Sequence, residues 1–387
     1  MTSPQHSMEQ TVRRTRFGLV GTLVKNLVND VFFLLLLAVL VLLSILSSHR
    51  IAGYPSLVDW PTIAALTGLL ALTKGLELSG ALDHAGHWLT ARMTSERAVA
   101  VCLVLAAALL SMVLTNDVAL FVVVPLTLGV CRLTGLAPSR LIILEALAVN
   151  AGSALTPIGN PQNLFLWQLS GVSFLEFVAH MLPLVLALMA LLLVLTCVLF
   201  GRRPIRLGVG DQPGRLDRRL FWCSLALYVP FLLATDLRHA GLAALAVLLV
   251  FLLLRREVLA RIDWGLLLVF VLMFIDLRLL AGLGIVRDAM RGLGLEQARH
   301  LYLAAIAASQ LVSNVPAAIA LVEYSRDWRV IAYGVNVGGF GLMVGSMANL
   351  IALRMCGERK AWLEFHWYAI PFLAVATLLG YALLFIR

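Results

Sequence analysis

The sequence predicts an all-α polytopic membrane protein made of two inverted-topology repeats, each with a re-entrant helical hairpin and a discontinuous transmembrane helix. Three observations carry this prediction. Of 387 residues, 61% are apolar and only 13% charged, about half the charged share of a soluble domain, and the mean hydropathy is +0.94. The apolar residues form continuous runs without period-two alternation, which excludes a membrane β-barrel as well as a soluble, secreted, fibrous or disordered chain. Polar, Gly- and Pro-rich breaks recur in the same order in the two halves of the chain.

Residues 1–30 form a polar tail with Arg13, Arg14, Arg16 and Lys25. Val31–Ser47 is read as the first span, because its polar leader is too long for a signal peptide and no small-x-small cleavage site follows. Trp60–Gly80, Ser139–Leu169, His180–Phe200, Leu220–Ala234, Ala240–Leu254, Trp264–Gly282, Trp328–Leu353 and Trp367–Ile386 complete nine crossings. The spans at 139–169 and 328–353 are long and interrupted. Ala98–Ser111 and Val118–Val130 are apolar but short, each reaching roughly 20 Å against a ~30 Å hydrocarbon core. Leu114–Asp117 lies between them, and polar backbone at membrane depth survives only inside protein or a wet cavity. Residues 98–130 therefore read as a re-entrant hairpin with a mid-membrane tip. Residues 299–324, around Ser313 and Asn314, read as a second. Leu89–Arg97 and Val286–Gln297 are predicted amphipathic surface helices. The polar linker 201–219 divides a first half, 31–200, from a second, 220–387. Trp60, Trp264, Trp328, Trp362 and Trp367 stand at span ends as interface anchors.

With the N-terminus inside, twenty Lys and Arg residues fall on the cytoplasmic side and eight outside, with Lys74 and Arg278 within spans. The positive-inside rule then sets a cytoplasmic N-terminus and a periplasmic C-terminus in a bacterial inner membrane. The same rule accounts for the net charge of +9, so no nucleic-acid partner is expected. The five cysteines are scattered and make no CxxC, which points to neither a disulfide framework nor a transition-metal site. His84 and His87 read as interfacial. No cofactor is expected beyond bound Na⁺.

The repeat shows in three matched pairs. Val58-Asp59-Trp60 and Ile262-Asp263-Trp264 are 204 residues apart; Ser111 with Thr115-Asn116 and Ser309 with Ser313-Asn314 are 198 apart. Asn150, Gly152, Gly159 and Asn163 match Asn336, Gly338, Gly345 and Asn349 at an offset of 186. Five crossings separate the spans at Trp60 and Trp264, and an odd number makes the two units opposite in orientation. Inverted repeats with broken helices are a transporter architecture, with the site at the midplane between them. Freed carbonyls and Ser, Thr and Asn oxygens suit a hard cation, and helix N-termini suit an anion. Glu145 stands alone in an apolar arm, as a proton relay or a structural hydrogen-bonding group. Lys74 has Glu77 at i+3 and Arg278 has Asp276 two residues away, arrangements that fit ion pairs or a role in coupling.

LTNDVALFVVVPL, NAGSALTPIGNPQNLFLW, SQLVSNVPAAIAL and NVGGFGLMVGSMANLIAL resemble the hairpin-tip and interrupted-helix motifs of the ion-transporter superfamily. That group includes divalent-anion/sodium symporters, citrate transporters, the ArsB arsenite pump and NhaD-type antiporters; the resemblance is strongest to the YbiR-type branch of bacterial inner-membrane anion transporters. It covers roughly residues 58–355. It implies an elevator-type carrier, homodimeric like its relatives, that moves a small inorganic or carboxylate anion with Na⁺ or H⁺; arsenite or antimonite efflux and Na⁺/H⁺ antiport are the alternatives. By resemblance, Ser111, Thr115, Asn116 and Gly152 form one cation site, and Ser309, Ser313, Asn314 and Gly338 the other. Thr115, Asn116, Asp117, Thr156, Ser313 and Asn314 face the substrate. Asp117 and Val315 replace the expected Thr at the third tip positions. Asp117 either caps its helix or joins Glu145 and Lys74 as a proton-coupling group. An intramembrane enzyme would need a motif such as His-Glu-x-x-His, and an ATPase a Walker A; neither is in the sequence. A channel is the remaining remote alternative.

Overall fold

A computed structural model describes residues 31–46, 48–82, 84, 95–204 and 215–386. The tail 1–30, His87, the first six residues of the predicted surface helix at Leu89–Arg97 and the middle of the linker lie outside the described residues. Among the described residues the regular structure is helical apart from one isolated bridge, Ser95 with Pro204.

The helices are α1 (Val31–Leu46), α2 (Tyr54–Leu57), α3 (Trp60–Leu78), α4 (Glu96–Val113), α5 (Asn116–Thr134), α6 (Pro138–Ser153), α7 (Pro161–Ser170), α8 (Phe174–Leu199) and α9 (Arg218–Asp236). After these come α10 (Ala240–Leu254), α11 (Arg256–Ala260), α12 (Trp264–Ala281), α13 (Gly284–Gly292), α14 (Ala298–Val312), α15 (Asn314–Leu321), α16 (Trp328–Val337), α17 (Met347–Cys356) and α18 (Arg359–Phe385).

The chain punctuates these helices chemically. Asp59 accepts from the Thr62 amide at 3.0 Å and Asp263 from the Leu266 amide at 3.0 Å. Each Asp-Trp pair thus combines an N-cap with the first helical residue, which is why the pair recurs. Asp217 and Asp327 cap α9 and α16 in the same way. Gly135, Gly171 and Gly357 close α5, α7 and α17 in the left-handed region, at φ 75°, 80° and 71°.

Five described helices are long and apolar enough to cross a membrane, or six if the bent pair Ile51–Leu57 and Trp60–Leu78 counts as one span. The nine expected crossings are more, because breaks divide two of them and the helices at Val31–Leu46 and Ala240–Leu254 are shorter. The expected span 139–169 is two helices, α6 and α7, separated at residues 154–160; 328–353 is α16 and α17, separated at 338–346. One of the five is α4 itself, at 18 residues. The apolar window 98–111 underestimates it, because Ser95 caps the helix through the Ala98 amide and Met112 and Val113 continue it. Its length alone therefore does not mark it as re-entrant. The predicted amphipathic segment 286–297 overlaps α13, which begins two residues earlier and ends at Gly292.

The helices fall into two groups. In one, α1 packs on α12, and α3 packs on α9, α10 and α12. In the other, α6 packs on α4, α5, α8, α17 and α18, and α16 on α7, α14, α15 and α18. The groups touch where α12 meets α15 and α3 meets α7. Polar ties reinforce the boundary: Tyr228 hydroxyl to Val113 carbonyl, Phe174 amide to Asp236 carboxylate at 2.6 Å, and Arg238 to the Gln168 carbonyl. Leu253, Val198 and Leu363 stand outward at 80%, 76% and 75% exposure, as lipid-facing residues do in a membrane bundle.

Candidate functional site

The four predicted breaks meet inside the second helix group. The α4–α5 turn is held by the Asn116 amide donating to the Gly159 carbonyl at 3.0 Å. Thr156 hydroxyl donates to the Met112 carbonyl at 2.6 Å. The first turn and the first broken helix therefore share one site, with Ser111 fully buried beneath them. A Cβ on Gly152 would lie 2.6 Å from Ser111 Oγ, so only glycine permits this approach.

The second half repeats the arrangement. A Cβ on Gly338 would lie 2.5 Å from Ser309 Cβ and 2.7 Å from its Oγ. Ser111 donates to Ala108 O and Ser309 to Ala305 O, both at 2.8 Å, which keeps both hydroxyls turned toward their own helices. At the second turn Ser313 has φ 75°, a conformation that costs a non-glycine residue energy, and its hydroxyl reaches Asn314 Oδ1 at 3.4 Å. Thr115, Asn116, Ser313 and Asn314 are all buried, while Asp117 is partly exposed at the start of α5.

The two halves are joined crosswise by asparagine amides. Asn150 Nδ2 donates to Asn349 Oδ1 at 2.8 Å, and Asn336 Nδ2 donates to Asn163 Oδ1 at 2.7 Å. The second bond is the first with the repeats exchanged. Asn163 Nδ2 reaches the Ser153 carbonyl at 3.3 Å and Asn349 Nδ2 reaches the matching Gly339 carbonyl at 2.9 Å. The symmetry then breaks: Asn160 bridges Ser153 Oγ and Asn336 Oδ1, but its counterpart Ser346 is buried with a hydroxyl that has no partner. Gly339 also stands beside the second turn, where a Cβ would lie 3.4 Å from Asn314 Nδ2 and 3.6 Å from Asn150 Oδ1. The predicted residues Ser111, Thr115, Asn116, Gly152 and Thr156 are thus brought together, as are Ser309, Ser313, Asn314 and Gly338.

The helices α5, α7, α15 and α17 all begin in this cluster. A helix N-terminus carries partial positive charge and unpaired N–H groups. The side chains around it are neutral hydroxyls and amides, with Asp117 the one carboxylate among the predicted substrate-facing residues. Such a set can hold a small anion by N-termini and a hard cation by oxygens. Among the described residues no group of three His, Cys, Asp or Glu is arranged for a metal ion.

Two predicted residues lie outside the cluster. Lys74 pairs with Glu77 at 2.6 Å, as the i+3 spacing suggests. Glu145 is fully buried on α6, five residues before Asn150 (about 7.5 Å along the helix), where Thr127 hydroxyl donates to one oxygen and the other is unpartnered. Arg278 does not pair with Asp276. It reaches Glu323 at 3.1 Å and the Leu57 carbonyl at 2.6 Å instead. Neighbours two apart on a helix point in different directions, which is the physical reason.

Sequence reasoning missed Gln310. Its Nε2 donates to Gly338 O at 2.5 Å and Phe340 O at 2.8 Å, and its Oε1 accepts from the Leu342 amide at 2.7 Å. One side chain thereby satisfies three groups of the second broken helix. The available signal was an amide next to Ser309 in an otherwise apolar arm.

Similarity to known proteins extends along almost the whole chain. The inner membrane protein YbiR of Escherichia coli is 47% identical over 362 residues, covering 94% of this chain and 97% of YbiR. An uncharacterised transporter of Methanocaldococcus jannaschii is 30% identical over 331 residues, covering 85% and 90%. One of Mycobacterium bovis is 26% identical over 385, covering 89% and 90%. The citrate transporter family model matches residues 19–327. The chain therefore belongs to the citrate transporter family, a family of membrane transporters.

Proposed function

We propose that this chain is a secondary active transporter of a bacterial inner membrane. It carries a small inorganic or carboxylate anion, or an oxyanion, coupled to Na⁺ or H⁺. The observation that carries this reading is the meeting of four helix N-termini in one cluster lined by neutral oxygens. The N-termini attract the anion. The Ser111–Gly152 and Ser309–Gly338 contacts support a reading with two cation places, made with Thr115, Asn116, Ser313 and Asn314. With no basic side chain among these residues, cations bound beside the anion supply the balancing charge.

The α4–α5 and α14–α15 pairs are read as re-entrant hairpins of two inverted repeats, and the crosswise amide bonds support that pairing. The first helix group serves as a static scaffold, and the second, with both turns and both broken helices, as the moving body of an elevator. The N-terminus is cytoplasmic, the C-terminus periplasmic, and the assembly a homodimer. Asp117 favours a second reading, because a carboxylate at the start of α5 occupies the place an anion would take. Arsenite or antimonite efflux, or Na⁺/H⁺ antiport, fits that charge, with Asp117 and Glu145 as coupling groups.

The test is a thermal-shift screen of the purified full chain against Na⁺, Li⁺, citrate, sulfate and arsenite, followed by uptake into proteoliposomes. A ligand that binds the folded protein raises its melting temperature. Citrate or sulfate should stabilise only with Na⁺ or at lowered pH, and Ser111→Ala should remove the cation effect. Stabilisation by arsenite alone, abolished by Asp117→Asn, would select the second reading. No response to any anion or cation would sink both.

A further inference from the structure

Asp276 is 1% exposed, and neither of its carboxylate oxygens has a hydrogen-bond partner. It lies twelve residues into α12, about 18 Å from Trp264, at membrane depth. The helix packs on α1, α3 and α15 and touches α2 and α13. No group on these helices hydrogen-bonds the carboxylate. Helices α1 and α15 hold no titratable side chain, and on α3 Lys74 and Glu77 hold each other at 2.6 Å. On α2, Tyr54 hydroxyl bonds Ser44 at 2.7 Å. On α13, Arg291 faces Asp288 at 3.8 Å and Arg287 reaches the Gly282 carbonyl at 3.5 Å. On α12 itself Asp263 caps the helix and Arg278 is taken by Glu323 and Leu57. At the 204-residue spacing of the Asp-Trp starts, the counterpart of Asp276 is Leu72, fully buried and apolar. The carboxylate therefore belongs to one half only and is not part of the repeated framework.

A buried carboxylate is tolerated in hydrocarbon only when something neutralises it. A metal cation would need several oxygen ligands, and no polar group bonds this carboxylate. A proton needs one carboxylate oxygen. We infer that Asp276 is a proton-binding site on α12, a helix that packs on α15. Helix α15 begins at Asn314, in the transport cluster, so the helix that binds the proton packs against one of the four that start there. When α15 moves away and water reaches Asp276, the proton leaves the carboxylic acid for water and a carboxylate remains; the return of α15 requires the reverse. This rests on the reading of α12 as scaffold and α15 as part of the moving body, and it adds an H⁺ step at a residue apart from the turn.

Two measurements on the purified full-length protein test it. The infrared difference between wild type and Asp276→Asn near neutral pH should contain the C=O stretching band of a protonated carboxylic acid, shifted in D₂O. Absence of that band overturns the inference. Hydrogen–deuterium exchange over 314–324 should then be compared between the two proteins at each pH, from mildly acidic to mildly alkaline. The wild-type to Asp276→Asn rate ratio should rise, by up to about tenfold per pH unit for a single linked proton. A flat ratio overturns it. Asp276→Glu, which keeps a carboxyl, should retain the pH dependence, and identical behaviour of the Glu and Asn variants would reduce Asp276 to packing. Neither readout needs the transported anion. A failed ligand screen with these signals intact removes the proposed anion and leaves the proton site standing.

Discussion

Gly152→Ala should be among the most damaging single-methyl additions in this molecule. The new Cβ would sit 2.7 Å from Ala108 Cα and 2.6 Å from Ser111 Oγ, with the Ala108 carbonyl oxygen nearer still. Two of these three atoms are backbone and cannot rotate away. Restoring an ordinary 3.4 Å contact to Ala108 Cα requires α4 and α6 to part by about 0.7 Å. These two helices form the main packing of the first half, and overpacking of this kind costs roughly 1–3 kcal/mol. Alanine's better helix propensity returns at most ~1 kcal/mol. Gly129 is the control: it lies inside α5 with nothing within 4 Å of the added Cβ, so Gly129→Ala should be neutral or stabilising by up to ~1 kcal/mol. Thermal scanning of detergent-solubilised protein by fluorescence-detected size exclusion would rank the two. If Gly152→Ala melted at or above Gly129→Ala, the close approach of Ser111 to the first broken helix would be wrong.

The amide cross gives a second ranking. Asn336→Ala strands Asn163 Oδ1 and also removes one of the two bonds of Asn160 Nδ2, which keeps Ser153 Oγ, whereas Asn150→Ala strands mainly Asn349 Oδ1. At about 1–3 kcal/mol per stranded buried group, Asn336→Ala should melt lower, and the opposite order in the same scan would count against the arrangement. Thr127→Val should cost about 1–3 kcal/mol by leaving Glu145 wholly unpartnered; adding Glu145→Gln should recover part of that loss in a double-mutant cycle. Asp217 is held below the usual carboxylate range by the Leu220 amide at the start of α9 and by Arg255. A depressed carboxylate stabilises the fold above its unfolded pKa, and this contribution disappears as pH falls through the folded value. Melting of wild type and Asp217→Asn should therefore differ near neutrality and converge as pH falls below about 4; a constant gap would refute the assignment.

Much of this arrangement could be read from residue order because the relevant signals are local. Asp59 and Asp263 cap the helices they precede, and Gly152 and Gly338 mark close approaches, so periodicity and turn chemistry locate them. The apolar length of α4 was less legible, since a cap at Ser95 and two more apolar residues extend a helix past the window that hydropathy outlines. Long-range pairing was least legible. The offset of 186 identifies Asn150 and Asn336 as equivalents, but nothing in order along the chain says that each seeks the other half's second asparagine. The same holds for Arg278, whose nearest acid in sequence is Asp276 and whose partner in space is Glu323. Trp328 was expected at an interface, and it stacks on Phe177 with ring centroids 5.2 Å apart, because an aromatic at a helix start can serve packing as well as anchoring.

The crosswise asparagines have a consequence for how the molecule answers its surroundings. They are uncharged and sealed from solvent, so neither acid, alkali nor brine alters the strength of that central clasp. The fastening of α6 to α18 at Ser139, Arg140 and Glu364 is partly ionic and solvent-touched, and counter-ions weaken such ties. Rising ionic strength should therefore slacken the rim of the bundle while its middle keeps its grip.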